Sequence, residues 1–171
     1  MLSIREYSPQ DAEIILSWIT DEKTFRQWSA DKYENYPAMP EDVNDFYDSI
    51  RPNGAIPLIF CHDGKAVGHF ILRPLSDGSV NTVRIGFIIV DNSLRGKGYG
   101  KKMLEAALKY ALDKFKCERI TLGVFENNPK AQRCYESVGF RQYGEDKFFI
   151  NEEDWKCLEM EYKIKSCATL V

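Results

Sequence analysis

The sequence predicts a single α/β domain built on a mixed sheet with helices on both faces. A tight hairpin around Asp63-Gly64 joins two early strands, and a nearly all-apolar strand follows over Val83–Val90. Helical patterns then separate the later strands. Strands that begin as a hairpin and later connect through helices favour a mixed sheet covered on both sides. At 171 residues, we expect one domain over residues 1–171.

The elements before the hairpin follow from local patterns. Leu2–Tyr7 alternates in polarity and predicts a first strand, after which a helix is predicted over Pro9–Ile19 with Ser8 as its N-cap. The residues expected on its buried stripe are Ile14, Ile15, Trp18 and Ile19. The aromatic segment Thr20–Met39 indicates short helices and loops, and Pro40 begins another amphipathic helix.

The remaining elements alternate between strands and helices. The hairpin strands are Ile56–His62 and Lys65–Arg73, and we expect Val83–Val90 to be buried on both faces. A long helix follows, with an apolar face that runs to Phe115. The last predicted elements are a strand over Ile120–Phe125, a helix over Lys130–Val138 ended by Gly139, and a hairpin of Phe140–Ile150 and Trp155–Ile164.

Composition argues against several classes of protein. A net charge of −3 disfavours a nucleic-acid binder, whose surface would be basic. The longest apolar run, Ile85–Val90, is too short to cross a bilayer, so we expect no membrane association. The five cysteines form no CxxC pair, which predicts reduced thiols in a cytoplasmic protein and no bound metal ion. We expect Cys134 to be a core residue.

A glycine-rich stretch between a predicted strand and a helix carries the strongest functional signal. It contains Gly96, Gly98 and Gly100, and its flanking cations are Arg95, Lys97, Lys101 and Lys102. Free backbone N–H groups and the positive end of a helix dipole bind phosphates at such a position. The stretch lacks the GxxxxGK[ST] of a P-loop and the GxGxxG of a dinucleotide fold. A loop that only turns the chain remains the structural alternative.

Two segments resemble a known family. Arg95-Gly96-Lys97-Gly98-Tyr99-Gly100 matches the [QR]-x-x-G-x-[GA] acetyl-CoA signature of the GNAT N-acyltransferases. Downstream, Asn128-Pro129-Lys130-Ala131 with Tyr135 and Gly139-Phe140 resembles the N-x-x-A-x-x-x-Y-x-x-x-G-F segment of the same family. The resemblance implies about seven strands in a mixed, largely antiparallel sheet, with about four helices around it. It also implies that the fourth and fifth strands part at their carboxyl ends.

The resemblance implies acetyl-CoA as co-substrate, with no metal. Strand-four backbone groups would bind pantetheine, loop amides would bind the pyrophosphate, and Asn128 would contact the pantetheine arm. The residues implied in binding are Ile88, Ile89, Val90, Arg95, Gly96, Lys97, Gly98, Tyr99, Gly100, Lys101, Asn128 and Tyr135. Tyr135 would also act as the catalytic acid that protonates the departing thiolate. Its alternative is an amphipathic-helix tyrosine that packs on the sheet.

The implied activity is direct acetyl transfer, in a ternary complex, to a primary amine of a small molecule or a protein N-terminus. Thr24–Tyr47 would shape the acceptor pocket, and the resemblance leaves a homodimer open. Arg84 stands where many relatives have a glutamate, so no general base carries over. That departure keeps a second hypothesis, a non-catalytic domain that binds acyl-CoA as a sensor or scaffold. An AdoMet- or nucleotide-dependent enzyme is disfavoured, since the acid expected after the second strand and a P-loop are both missing.

Overall fold

A computed structural model describes residues 1–76 and 81–164 of the chain. Its strands are β1 (Leu2–Glu6), β2 (Ile56–His62), β3 (Lys65–Leu75), β4 (Thr82–Val90), β5 (Arg119–Phe125), β6 (Arg141–Ile150) and β7 (Glu153–Lys163). Its α-helices are α1 (Asp11–Ser17), α2 (Glu22–Ser29), α3 (Pro40–Ile50), α4 (Tyr99–Phe115) and α5 (Pro129–Val138). Short 3₁₀ helices lie at Arg51–Asn53 and Asn92–Leu94.

The seven strands form one sheet in the order β1-β2-β3-β4-β5-β7-β6. Only the β4–β5 pair is parallel among the described strands, so the predicted mixed, largely antiparallel sheet is confirmed. Five α-helices surround it, where the resemblance implied about four; the additional helix α2 lies in Thr20–Met39, the segment expected to hold short helices and loops. In residues 1–76 and 81–164, no helix is both long and apolar enough to cross a membrane.

Two hydrophobic clusters cover the two faces of the sheet. On one face, α4 places Met103, Leu104 and Ala107 against the inward side chains of the central strands. On the other face, α1, α2 and α3 pack an aromatic-rich cluster against β2 and β3, including Phe25 and Tyr47. The predicted arrangement of helices on both faces is therefore confirmed.

The first helix corrects one prediction. It begins at Asp11, with Gln10 as N-cap, because the backbone N–H and hydroxyl of Ser8 both donate to the Asp11 carboxylate. Ser8 is therefore a donor to the first turn and does not cap it. The buried stripe is also narrower than predicted: Ile15 is inaccessible, while Ile14 is 40% exposed.

Candidate active site

The parallel strands β4 and β5 separate soon after they begin. Paired positions run only from Thr82 opposite Arg119 to Arg84 opposite Thr121, although β4 continues to Val90. The rest of β4 therefore borders an opening, and Ile88 is partly exposed. As expected, both faces of this strand pack against a hydrophobic cluster. Its far half has an open edge, because no described strand pairs with it on the β5 side, and Phe87, Ile88 and Val90 are therefore only partly buried.

A β-bulge shapes β4 at the edge of this opening. Between the pairs Ile71–Gly86 and His69–Ile89, two residues of β4 face the single residue Phe70 of β3. Phe87 adopts a φ of 52°, a left-handed conformation that costs a bulky residue free energy. The indole Nε1–H of Trp28 donates to the Phe87 carbonyl at 3.1 Å and holds the bulge. A bulge leaves backbone groups outside the ladder, where a ligand can reach them.

Two cavities adjoin each other in this region, and we call the larger one the donor cavity. It lies between the parted strands and the starts of α4 and α5. Its volume is about 860 Å³. Its charged lining residues are Lys23, Arg95, Lys101, Lys130 and Arg133. No carboxylate lines it among the residues that the structure describes. In an acidic protein, this cavity is therefore a focus of positive potential suited to phosphate groups.

The glycine loop enters this cavity with the geometry that phosphate binding needs. Gly96 and Gly98 have φ of 77° and 80°, and Gly98 is the N-cap of α4. No other atom lies within 4 Å of the position that a Cβ would occupy on either glycine. Close packing therefore does not explain these glycines, whereas their left-handed backbone does. The first N–H groups of α4 stay open toward the cavity.

Most of the predicted binding residues meet at the donor cavity. Those that line it are Ile88, Ile89, Val90, Arg95, Gly96, Gly98, Gly100, Lys101, Asn128 and Tyr135. Lys97 and Tyr99 are not part of the lining. The Tyr99 hydroxyl instead hydrogen-bonds His62 Nδ1 at 2.6 Å. Sequence reasoning missed Lys23 and Arg133, because neither lies in the glycine-rich stretch and only the fold brings their helices to it.

Asn128 does two things at the start of α5. Its side-chain oxygen accepts a hydrogen bond from the Ala131 backbone N–H at 3.3 Å and caps the helix. Its side-chain NH₂ forms no hydrogen bond with any other described residue, and the residue lines the donor cavity. The cap fixes the side chain in place, so its amide protons can meet a ligand.

Tyr135 lies where the two cavities meet. It is buried, and burial raises the pKa of its phenol well above the usual value, with a smaller contribution from Cys134. The hydroxyl therefore keeps its proton at neutral pH, as a proton donor requires. Cys134 itself corrects a prediction: it is half-buried in the cavity wall and not in the core, because its helix position faces Gly100.

The acceptor cavity, the smaller of the two at about 460 Å³, lies against the bulge. The residues that it shares with the donor cavity are Gln27, Trp28, Ile88, Gly123 and Tyr135. Trp28 comes from Thr24–Tyr47, the segment expected to shape such a pocket. The two cavities therefore have a common wall beside the bulge, where a group could pass from one ligand to the other.

An ion pair crosses the sheet in the acceptor cavity. Arg84 of β4 donates two hydrogen bonds to the Glu159 carboxylate of β7, at 2.6 and 3.0 Å. Glycine at position 123 of the intervening β5 makes room, because a Cβ there would come within 2.7 Å of the Arg84 guanidinium. Burial lowers the Arg84 pKa, but the hydrogen bonds to Glu159 outweigh burial and leave the pKa raised. Arg84 is therefore a permanent cation.

Comparison with protein families agrees with this geometry. The model of the acetyltransferase (GNAT) family matches residues 17–140, which contain the glycine loop, the parted strands and Tyr135. The chain belongs to the acetyltransferase (GNAT) family. The resemblance stated from two short motifs is thereby confirmed over most of the domain.

Named GNAT relatives are similar to parts of this chain. Spermine/spermidine N(1)-acetyltransferase of Bacillus subtilis is 40% identical over 97 residues, 54% of this chain and 63% of that protein. The chain thus spans less than two thirds of that relative's length. N-acetylaspartate synthetase of Rattus norvegicus is 28% identical over 109 residues, 64% of this chain and 35% of that protein.

A solved structure shows the same fold. Spermidine N-acetyltransferase from Vibrio cholerae, in complex with CoA and spermine, superposes with a TM-score of 0.75. The identity is 22%, and the match covers 95% of this chain and 95% of that chain. At that identity, the likeness establishes the architecture of this domain.

Proposed function

We propose that this protein is an N-acetyltransferase that transfers the acetyl group of acetyl-CoA to a primary amine. One observation carries the proposal: a cavity whose charged lining residues are all cations joins a second cavity at the β4 bulge, beside a protonated tyrosine. Lys101 and the N–H groups at the start of α4 would bind the CoA phosphates. The backbone from Ile88 to Val90, together with Asn128, would bind the pantetheine arm.

The chemistry is a direct displacement in a ternary complex. The lone pair of the neutral amine attacks the thioester carbonyl carbon, so that a C–N bond forms and the C–S bond breaks. A backbone N–H at the bulge would stabilise the oxyanion. The departing thiolate takes the phenol proton of Tyr135, and the proton released by the acceptor nitrogen returns through water to restore the phenol. The products are the N-acetylated amine and CoA.

The cellular location and the size of the acceptor belong to the same proposal. The described cysteines Cys61, Cys117, Cys134 and Cys157 are all free, as a reducing cytoplasm allows. Small-molecule amines fit the acceptor cavity, whose volume of about 460 Å³ is typical of ligand pockets. A homodimer, suggested by resemblance alone, stays a prediction.

The test is thiol release from acetyl-CoA with a panel of primary amines. We expect turnover by the wild type and a loss of about 100-fold or more in kcat for Tyr135→Phe, because the leaving thiolate loses its proton donor. Binding of CoA to this variant should stay unchanged. Tyr110→Phe, on α4 and outside both cavities, is the matched control and should keep full activity.

Three results would count against the proposal in different ways. Full kcat in Tyr135→Phe would remove the tyrosine from the chemistry. Tight CoA binding without turnover of any amine would favour the non-catalytic sensor or scaffold. Failure to bind CoA would contradict both readings of the donor cavity.

A further inference from the structure

Two arginines face each other directly in the acceptor cavity. Arg73 of β3 and Arg84 of β4 are paired positions in the antiparallel ladder, and both line the cavity. Like charges at paired positions destabilise a sheet. One carboxylate, that of Glu159, ion-pairs with one of the two guanidinium groups, Arg84. The pair of arginines is therefore a costly arrangement that the fold alone does not require.

Among the residues that the structure describes, Arg73 has no counter-charge of its own. It forms no hydrogen bond or ion pair with any residue in the described part of the chain, and its Nε is buried without a partner. Burial, followed by the charge of Arg84, lowers the pKa of Arg73 below its ordinary value. A half-buried guanidinium normally finds acceptors, since an unpaired buried donor is costly.

The other charged groups around the cavity do not neutralise the positive charge of Arg73. Its remaining charged lining residues are Lys32 and Asp146. Lys32 pairs with Asp31 at 3.1 Å. Asp146 is exposed and accepts the Lys147 backbone N–H at 2.8 Å. Three cations thus line the cavity beside two carboxylates, and the unpaired cation is the half-buried one.

We propose that Arg73 binds a carboxylate of the acceptor, so that the acceptor is a small primary amine that also carries a carboxylate. The proposal rests on the acetyltransferase function above and names its substrate class. Arginine suits this role because its planar guanidinium donates two parallel hydrogen bonds to a carboxylate. Arg84 stays locked to Glu159 and adds positive potential beside the bound anion. A polyamine would bring further positive charge to this wall and be repelled.

The positions along β4 suit a molecule of amino-acid size. Arg84, opposite Arg73, lies three residues before Phe87, which is about 10 Å of extended strand. An arginine side chain and a small amino acid together cover that distance. A carboxylate held at Arg73 therefore leaves the amine near the bulge, where the thioester would lie.

The test compares each amino acid with its carboxamide, which removes only the negative charge. We expect kcat/KM to be at least tenfold higher for the acids than for the amides or for spermidine. Arg73→Gln should lower kcat/KM for the acids about 10- to 100-fold and leave the amides within twofold. Arg73→Lys, which keeps the charge, should retain a preference for the acids.

Arg119→Gln is the matched control. Arg119 lies at the start of β5, pairs with Glu161 at 2.7 Å and lines neither cavity, so its loss should not change the acid-to-amide ratio. Equal rates for acids and amides, a preference for spermidine, or an equal loss of both in Arg73→Gln would overturn the inference while acetyl transfer stands.

A second measurement needs no turnover. In the presence of saturating CoA, N-acetyl amino acids should raise the melting temperature of the wild type more than N-acetyl amino amides do, and Arg73→Gln should abolish the difference. An equal shift for acid and amide would contradict the inference. If no amine is acetylated and CoA does not bind, the proposed function fails by itself.

Discussion

His69 of β3 lies fully buried between the sheet and α3. Its Nδ1–H donates to the Leu58 carbonyl at 2.9 Å, and its Nε2 accepts from the Tyr47 hydroxyl at 2.7 Å. Both ring nitrogens are thus used by a neutral imidazole. Burial lowers the pKa of His69 to about 3. This histidine therefore has a packing role, which makes the stability of the protein depend on pH.

We expect this buried histidine to make the protein less stable in mild acid. Below about pH 6.5 the unfolded chain protonates the imidazole, while the folded chain resists protonation down to about pH 3. The free energy of unfolding should therefore fall by up to about 1.4 kcal/mol per pH unit in this window, and not change above it through this group.

The measurement is denaturant unfolding between pH 4 and 8 for the wild type, His69→Gln and His62→Gln. His69→Gln is less stable at neutral pH, and its difference from the wild type should shrink as the pH falls. His62→Gln removes the other histidine of this hairpin, which is partly exposed, and is the comparison variant. A difference that stays constant over this pH range for His69→Gln would refute the assignment.

At the scale of elements, β5 lies between β4 and β7 and allows side chains of those two strands to meet across it. Gly123 has no side chain, so Arg84 on one side and Glu159 on the other meet above it. Cys157 packs at the same point, and a Cβ on Gly123 would come within 2.8 Å of its sulfur. The β4, β5 and β7 strands are thus tied together by an ion pair as well as by their ladders.

Gly123→Ala should separate this pair. We expect a loss of about 1–3 kcal/mol in the free energy of unfolding, because the methyl group displaces Arg84 and Cys157. Gly86→Ala on the neighbouring strand is the matched control, since a Cβ there meets nothing within 4 Å. It should leave the free energy of unfolding unchanged or raise it by about 0.4–1 kcal/mol, because alanine reduces the conformational entropy of the unfolded chain. Equal effects of the two substitutions in thermal unfolding would contradict this account.

The elements that local chemistry specifies were predictable. Asp63-Gly64 takes left-handed φ values of 49° and 79°, as the hairpin prediction requires, and Gly139 ends α5 with a φ of 117°. The β4 bulge was not predictable, because a phenylalanine with positive φ has no sequence signature and is imposed by the ladder and by Trp28. The glycine loop could be predicted, because it is one contiguous segment of the sequence. Arg73, Arg84 and Glu159 meet at the acceptor cavity only through the strand order.

At the scale of the whole molecule, one continuous sheet separates the two hydrophobic clusters. Side chains of β2 alternate between them: Leu58 faces the cluster under α4, while Ile59 faces the cluster under α1, α2 and α3. The sheet is a wall of both clusters, so its loss would expose both of them. The single domain over residues 1–171 remains a prediction, and this shared wall is its physical basis.

We therefore expect one cooperative unfolding transition. Fluorescence reports largely on the face covered by α1, α2 and α3, where Trp18 and Trp28 are buried, whereas far-ultraviolet circular dichroism reports on the sheet and α4 together. The two signals should give the same denaturation midpoint. Separate midpoints would show that the faces unfold independently and would contradict the prediction.

The common wall between the two cavities has a consequence for how such a protein can diversify. Helix α2 lines both cavities, but the donor cavity otherwise draws on the glycine loop and the starts of α4 and α5, whereas the acceptor cavity draws on β3 and the β6–β7 hairpin. Under the proposed function, substitutions at Lys32, Arg73 or Asp146 can redirect the enzyme to a new amine without disturbing its grip on the coenzyme. Acceptor choice is thus a separable trait, open to exchange by grafting segments between homologues.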